Sequence, residues 1–178
     1  MPIKKKTEII LDHKFDPKTC RHYLNDQVSV LHCHHYATLY TQLADDCGFI
    51  DAKKLLAEVA EDTFFDALSS YYKKYQIDSI KDRITIAEQY YALSGLGEMK
   101  VIYAGTDSGE VELAHSHLDA GWIKKWGNRE KPVNFITCGY ISGMFSAIFN
   151  KPVRSYITIE TKGIVSGAEK SNFKVTAN

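Results

Sequence analysis

Apolar and polar positions along the chain change period several times, and each change marks an element. Residues 7–11 form a short β-branched and apolar run that predicts a first strand. Asp16-Pro17 reads as an N-cap followed by a proline at the first helical position. Helical spacing then runs through Val28, Leu31, His35, Leu39 and Leu43 to Cys47-Gly48, with a break expected near Asn25-Asp26. Asp51 caps a second predicted helix that reaches about Tyr75. It carries two apolar faces, one with Leu56, Val59, Ala60, Thr63, Ala67 and Tyr71 and another with Phe65, Leu68, Tyr72 and Tyr75. Such a helix is buried on both sides or meets a partner subunit. Ser79 caps a third, through Ile84, Ala87, Tyr91 and Leu93, that stops at Gly95-Leu96-Gly97.

The period then shortens. Residues 99–104 and 110–117 alternate like paired strands about a turn at residues 105–109, and 119–128 reads as a short helix. Residues 132–149 return to a helical pattern with Gly139, Gly143 and Ala147 four apart, a stripe that lets another backbone come close. Val153, Ser155, Ile157 and Ile159 alternate with Arg154, Tyr156, Thr158 and Glu160, the period of a half-buried strand. Residues 163–167 turn the chain, and 172–175 come back as a short strand. The expected fold is α/β of the α+β type, an antiparallel sheet flanked by helices. N-terminal helices precede strands, and a helix and β-hairpin follow. One domain over residues 1–178 accommodates this, with a mainly helical half at 1–98 and a helix-hairpin unit at 132–175.

Residues of that unit resemble a known family. The run from Cys138 through Gly139, Tyr140, Ile141, Ser142, Gly143, Met144, Phe145 and Ser146 to Ala147, then Pro152-Val153, Glu160, Gly167 and Phe173, is similar to the 4-vinyl reductase domain. That is the module of predicted hydrocarbon-binding proteins, related in fold to subunits of the transport-protein-particle complex. The resemblance covers about a quarter of the chain. It implies an antiparallel sheet flanked by helices, a dimer, and a closed pocket for a small apolar or aromatic molecule. Tyr140 and Phe145 are the pocket residues it suggests, joined by Tyr36 and Phe64 from the earlier helices. Where the family pattern has two cysteines this chain has Gly163 and Ser171, and only Glu160 is retained. In phenol-sensing relatives those positions look like zinc ligands. Glu160 alone falls short of the roughly four ligands a structural zinc needs, so no zinc is expected at this hairpin. Glu160 is instead expected to be a strand-end carboxylate making a hydrogen bond.

Histidines raise a second possibility. His32 and His35 share a helical face, and His115 and His117 share a strand face if the predicted elements hold. Four imidazoles brought together suit a transition metal, zinc or iron in particular, with Glu88 and Asp119 as candidate orienting carboxylates. The plainer alternative is that both pairs face solvent. A haem on one axial histidine is the weaker variant, since no attachment motif is present. No P-loop, no GxGxxG after a strand and no GxSxG elbow occurs, so no nucleotide cofactor is expected.

Composition narrows the classes further. Basic and acidic residues balance at 22 each, which argues against nucleic acid as the main partner. No apolar run of about 18 residues is present to span a bilayer. The cysteines form no CxxC pair, no secretory signal is evident, and reduced thiols in the cytoplasm are expected. Eleven Tyr and 8 Phe suit either an aromatic core or an aromatic-lined pocket. Three functions compete: a dimeric sensor or carrier domain for a small hydrophobic molecule, a metal-dependent enzyme using the histidines, and a structural interaction subunit.

Overall fold

A computed structural model describes residues 7–30 and 33–178. Three short strands come first: β1 (His13–Asp16), β2 (Arg21–Leu24) and β3 (Gln27–Ser29), an antiparallel meander in the order β1-β2-β3. Helices α1 (His34–Asp46), α2 (Ala52–Tyr75) and α3 (Ile80–Leu93) follow. Strands β4 (Gly97–Ala104) and β5 (Ser108–Ser116) lead into α4 (His117–Trp126) and α5 (Phe135–Ile148). Strands β6 (Tyr156–Lys162) and β7 (Ser171–Ala177) end the chain, joined by a single 3-10 turn, and the second sheet runs β4-β5-β7-β6, all antiparallel. The fold is thus the helix-flanked antiparallel α+β arrangement expected from the sequence.

Helix α5 is the centre of the molecule. It is apolar all round, and every residue from Gly139 to Ile148 is buried, as a helix of that composition requires. The glycine stripe explains how. A Cβ on Gly139 would lie 2.0 Å from the carbonyl oxygen of Ala57, and one on Gly143 would lie 2.6 Å from that of Glu61. Helices α2 and α5 therefore touch backbone to backbone. On its other side α5 meets the sheet, where Phe145 fills the space left by Gly109 and Ser142 Oγ lies 2.8 Å from Thr158 Oγ1. Aromatic side chains dominate this core: Tyr91, Tyr140, Phe145 and Phe173 are each no more than 1 % exposed.

Helix starts agree with the sequence where a capping side chain sets them. Asp51 accepts from the Lys54 amide at 3.1 Å and Ser79 from the Asp82 amide at 3.1 Å. Residues 7–30 depart from expectation. Residues 7–11 form no strand. They run extended along α2 and α3, held by Thr7 Oγ1 donating to Asp82 (2.7 Å), the Ile9 amide to Gln89 (2.6 Å) and the Ile10 amide to the Tyr71 hydroxyl (2.7 Å). Asp16-Pro17 starts a turn, not a helix. The Asp16 carboxylate accepts from the Lys18 amide (2.9 Å) and the Thr19 hydroxyl (2.7 Å), a local bond that competes with helix. Asn25 and Asp26, at φ 48° and 69°, make the hairpin between β2 and β3. Helix α1 consequently begins at His34, and Val28 lies on β3. His117 is the first residue of α4 rather than the last of a strand, because the Ser116 hydroxyl accepts from the Asp119 amide at 3.1 Å and caps a helix there.

Replacing Gly139 by alanine should destabilise the chain by about 2 kcal/mol, since the added methyl meets backbone that cannot turn aside. Gly48→Ala, with nothing within 4 Å of the new atom, should be near neutral. Urea denaturation of the two variants checks the difference.

Candidate functional site

The strip of α2 beside its α5 contact faces the three-stranded sheet, and a cleft of about 510 Å³ lies between them. Thr63, Phe64 and Ala67 of α2 recur at helical spacing on one wall, with Tyr90, Leu93 and Ser94 of α3 and its end beside them. The facing wall is His13, His22, Leu24, Val28 and Val30. Its size suits a small ligand, and its walls are mainly apolar with a few polar groups. The sheet is tied to α2 by an exposed ion pair, Lys74 Nζ to Asp26 at 2.7 Å. Exposed pairs of this kind contribute little to stability. His13 Nε2 and His22 Nδ1 lie 2.9 Å apart with their rings stacked at 5.1 Å.

Of the four residues the sequence offers as pocket residues, Phe64 lines this cleft. Tyr140 stands directly behind it, ring centroids 4.7 Å apart, fully buried with its hydroxyl donating to the Ala87 carbonyl at 2.6 Å. It supports the wall without reaching the space. Phe145 is core, packed against Tyr156 at 5.6 Å and over Gly109. Tyr36 is 54 % exposed on α1, its ring 6.5 Å from that of Tyr40. Sequence reasoning missed Leu24, Val28, Val30, Thr63, Tyr90 and Leu93. The signal available was the Asn25-Asp26 dipeptide between short apolar pairs, which marks a hairpin.

The histidines meet differently from the expected pairing. Helix α1 packs on α4 at Gly121, where an added Cβ would be 2.9 Å from the His34 Cβ. This brings His34 and His117 to 6.3 Å, ring edge to face. His35 lies against His34, ring centroids 4.4 Å apart, with its Nδ1 3.9 Å from Cys33 Sγ, and His115 is exposed beside Glu98 at 3.7 Å. His115 and His117 do not share a strand face because α4 begins between them. His32 lies outside the described residues. Among the described residues no group of three or more His, Cys, Asp or Glu is arranged to hold a metal ion. The two proposed orienting carboxylates hold other partners. Glu88 accepts from the Val101 amide at 2.8 Å, and Asp119 belongs to a separate network.

That network lies at the hairpin where the family pattern has cysteines. The Asn134 side-chain amide donates to both Asp119 Oδ2 and Glu160 Oε1, each at 2.8 Å. Ser171 Oγ donates to Asp119 Oδ2 (3.1 Å) and accepts from the Ile164 amide (2.9 Å). Asp119 Oδ1 accepts from the Val165 amide at 2.9 Å, and Ser116 Oγ donates to Asn134 Oδ1 at 2.9 Å. Asp119, Asn134 and Ser171 are fully buried, and their hydrogen bonds make that burial tolerable. Glu160 is, as expected, a strand-end carboxylate that accepts a hydrogen bond. Burial pushes its carboxyl up to about 7, with the Asp119 charge adding to the shift and the Asn134 hydrogen bonds opposing it.

No protein-family model matches the chain, and no curated protein matches it. Solved structures do. The fold is shared with the phenol-responsive sensory domain of the transcription activator PoxR, solved with phenol. The two are 16 % identical with a TM-score of 0.77, over 93 % of this chain and 84 % of that one. A vinyl-4-reductase family protein from Methanocaldococcus jannaschii matches at 15 % identity and TM-score 0.55, over 84 % of each chain. A trafficking protein particle complex subunit 3 from Naegleria fowleri, covalently bound to palmitic acid, matches at 15 % identity and TM-score 0.54, over 82 % of this chain and 94 % of that one. The likeness seen in residues 132–175 therefore extends to the fold of nearly the whole chain.

Glu160 sets a pH dependence with a definite sign. Its carboxyl, raised from 4.5 to about 7 by folding, binds a proton more readily in the native state than in the unfolded one. Stability should therefore fall as pH rises from about 4.5 through about 7. Glu160→Gln should flatten that slope and melt higher than the parent at pH 8, as measured by thermal unfolding across this range.

Proposed function

We propose that this chain is a sensor or carrier domain that binds a small hydrophobic or aromatic molecule in the cleft between the three-stranded sheet and helices α2 and α3. The observation that carries the reading is the cleft itself, about 510 Å³, walled by Phe64, Ala67, Leu93, Leu24 and Val28. The shared fold adds support, since one protein with it is a phenol-responsive sensory domain and another holds palmitic acid. Cytoplasmic residence fits the four free cysteines, and no described helix is long and apolar enough to cross a membrane. The reading includes a homodimer. Tyr36, Leu39, Tyr40 and Leu43 recur at i, i+3, i+4 and i+7 along the outer side of α1, each at least 40 % exposed, and self-association would cover them.

Small aromatic compounds should raise the melting temperature in a concentration-dependent way, as expected for any ligand that binds only the native state. Phe64→Ala should weaken that binding about tenfold, equivalent to ~1.4 kcal/mol. A broad apolar and aromatic panel that leaves the melting temperature unchanged would remove the reading. For the dimer, sedimentation should give a two-chain mass that Leu43→Lys reduces to one.

A further inference from the structure

Six tyrosines are buried among the described residues: Tyr71, Tyr72, Tyr90, Tyr91, Tyr140 and Tyr156. Five have their hydroxyls hydrogen-bonded. Tyr71 accepts from the Ile10 amide, and Tyr72, Tyr140 and Tyr156 donate to the carbonyls of Arg83, Ala87 and Thr106. Tyr91 shares a hydrogen with Thr137 at 2.8 Å. Tyr90 differs. It is only 6 % exposed, yet its hydroxyl takes part in no hydrogen bond with the described residues. Its oxygen is not among the side-chain atoms sealed from solvent, and the opening that Tyr90 borders is the cleft.

The other hydroxyls of the cleft are committed. Thr63 donates to the Val59 carbonyl at 2.8 Å, Ser94 to that of Tyr90 at 2.8 Å, and Ser29 to that of Gln27 at 3.3 Å. Among these hydroxyls Tyr90 alone has its hydrogen committed to none of the described residues, and the Phe64 ring lies 6.5 Å from its own, edge-on. Burial holds that hydroxyl above its ordinary range, so it stays neutral and keeps its proton.

We infer that the Tyr90 hydroxyl is the polar anchor of the cleft, so that its ligand is a ring-sized apolar molecule bearing one hydrogen-bonding oxygen, as in a phenol. This rests on the cleft being the binding site and goes beyond it, because an apolar cleft alone gives no preference for oxygen. A ligand without the oxygen leaves the Tyr90 hydroxyl unpaired, and sites built to pair a buried polar group discriminate on that ground.

Phenol and toluene differ by hydroxyl against methyl on the same ring, and titration calorimetry of both against the parent chain and Tyr90→Phe tests the assignment. The parent should bind phenol about tenfold tighter than toluene, the scale of one buried hydrogen bond. Tyr90→Phe should lose that preference while its toluene affinity stays within about twofold. The free variant should melt no lower than the parent, since no protein hydrogen bond is lost. Equal affinity of the parent for the two compounds, or a full preference kept in Tyr90→Phe, overturns the anchor and leaves the cleft as an apolar site. A variant that melts well below the parent also overturns it, because the hydroxyl would then be holding the fold. Binding of neither compound removes the anchor together with the cleft reading.

Discussion

Backbone contact between α2 and α5 is the constraint on which the arrangement depends. At Gly139 and Gly143 helix α5 presents no side chain to α2, and the carbonyls of Ala57 and Glu61 occupy the space a Cβ would need. This closeness buries α5 on all sides and presses it against the sheet, where Gly109 makes room for Phe145. It also fixes the rotation of α2 about its axis. With Ala57, Ala60 and Glu61 committed to α5, the adjoining strip that carries Thr63, Phe64 and Ala67 has to face the three-stranded sheet. The cleft is a consequence of that rotation, and Tyr140, projecting from α5, forms its back wall through Phe64.

The opposite end of the same helix is governed by polar chemistry. Asn134 precedes α5 and spends its side chain on Asp119 and Glu160 rather than on capping the helix. One amide with two hydrogens thereby separates two carboxyl groups that would otherwise repel. Ser171 completes the arrangement with a hydroxyl at a position where the resembling family has a thiol. The hairpin is held by a connected hydrogen-bond network, and its tolerance of a second carboxylate rests on Glu160 retaining a proton near neutrality.

Much of the fold is legible in the sequence because it follows local rules. The small-residue stripe of Gly139, Gly143 and Ala147 predicts close packing, and Asp51 and Ser79 mark their helix starts. Residues 7–30 are illegible for physical reasons. Strands of three or four residues carry too few alternations to display a period, and Asp16-Pro17 presents the same residue types to a turn as to a helix start. The same error hid half of the cleft, since Leu24, Val28 and Val30 have no place in a pocket if they belong to a helix. On β6 the period is legible but the face is not. Ile157 and Ile159 point outward, while Tyr156 and Glu160 turn in to partners far away in sequence. Phe64 could be picked out as a pocket aromatic. Tyr90 could not, because a hydroxyl bonded to none of the described residues shows itself only once the neighbours are in place.

The most direct measurement is an amide chemical-shift titration of the isotope-labelled chain with phenol. If the cleft is the binding site, saturable shifts will concentrate at Leu24, Val28, Phe64, Ala67, Tyr90 and Leu93, from both walls together. Shifts confined to α1 and α4, or none that saturate, would contradict a binding cleft beneath the three-stranded sheet.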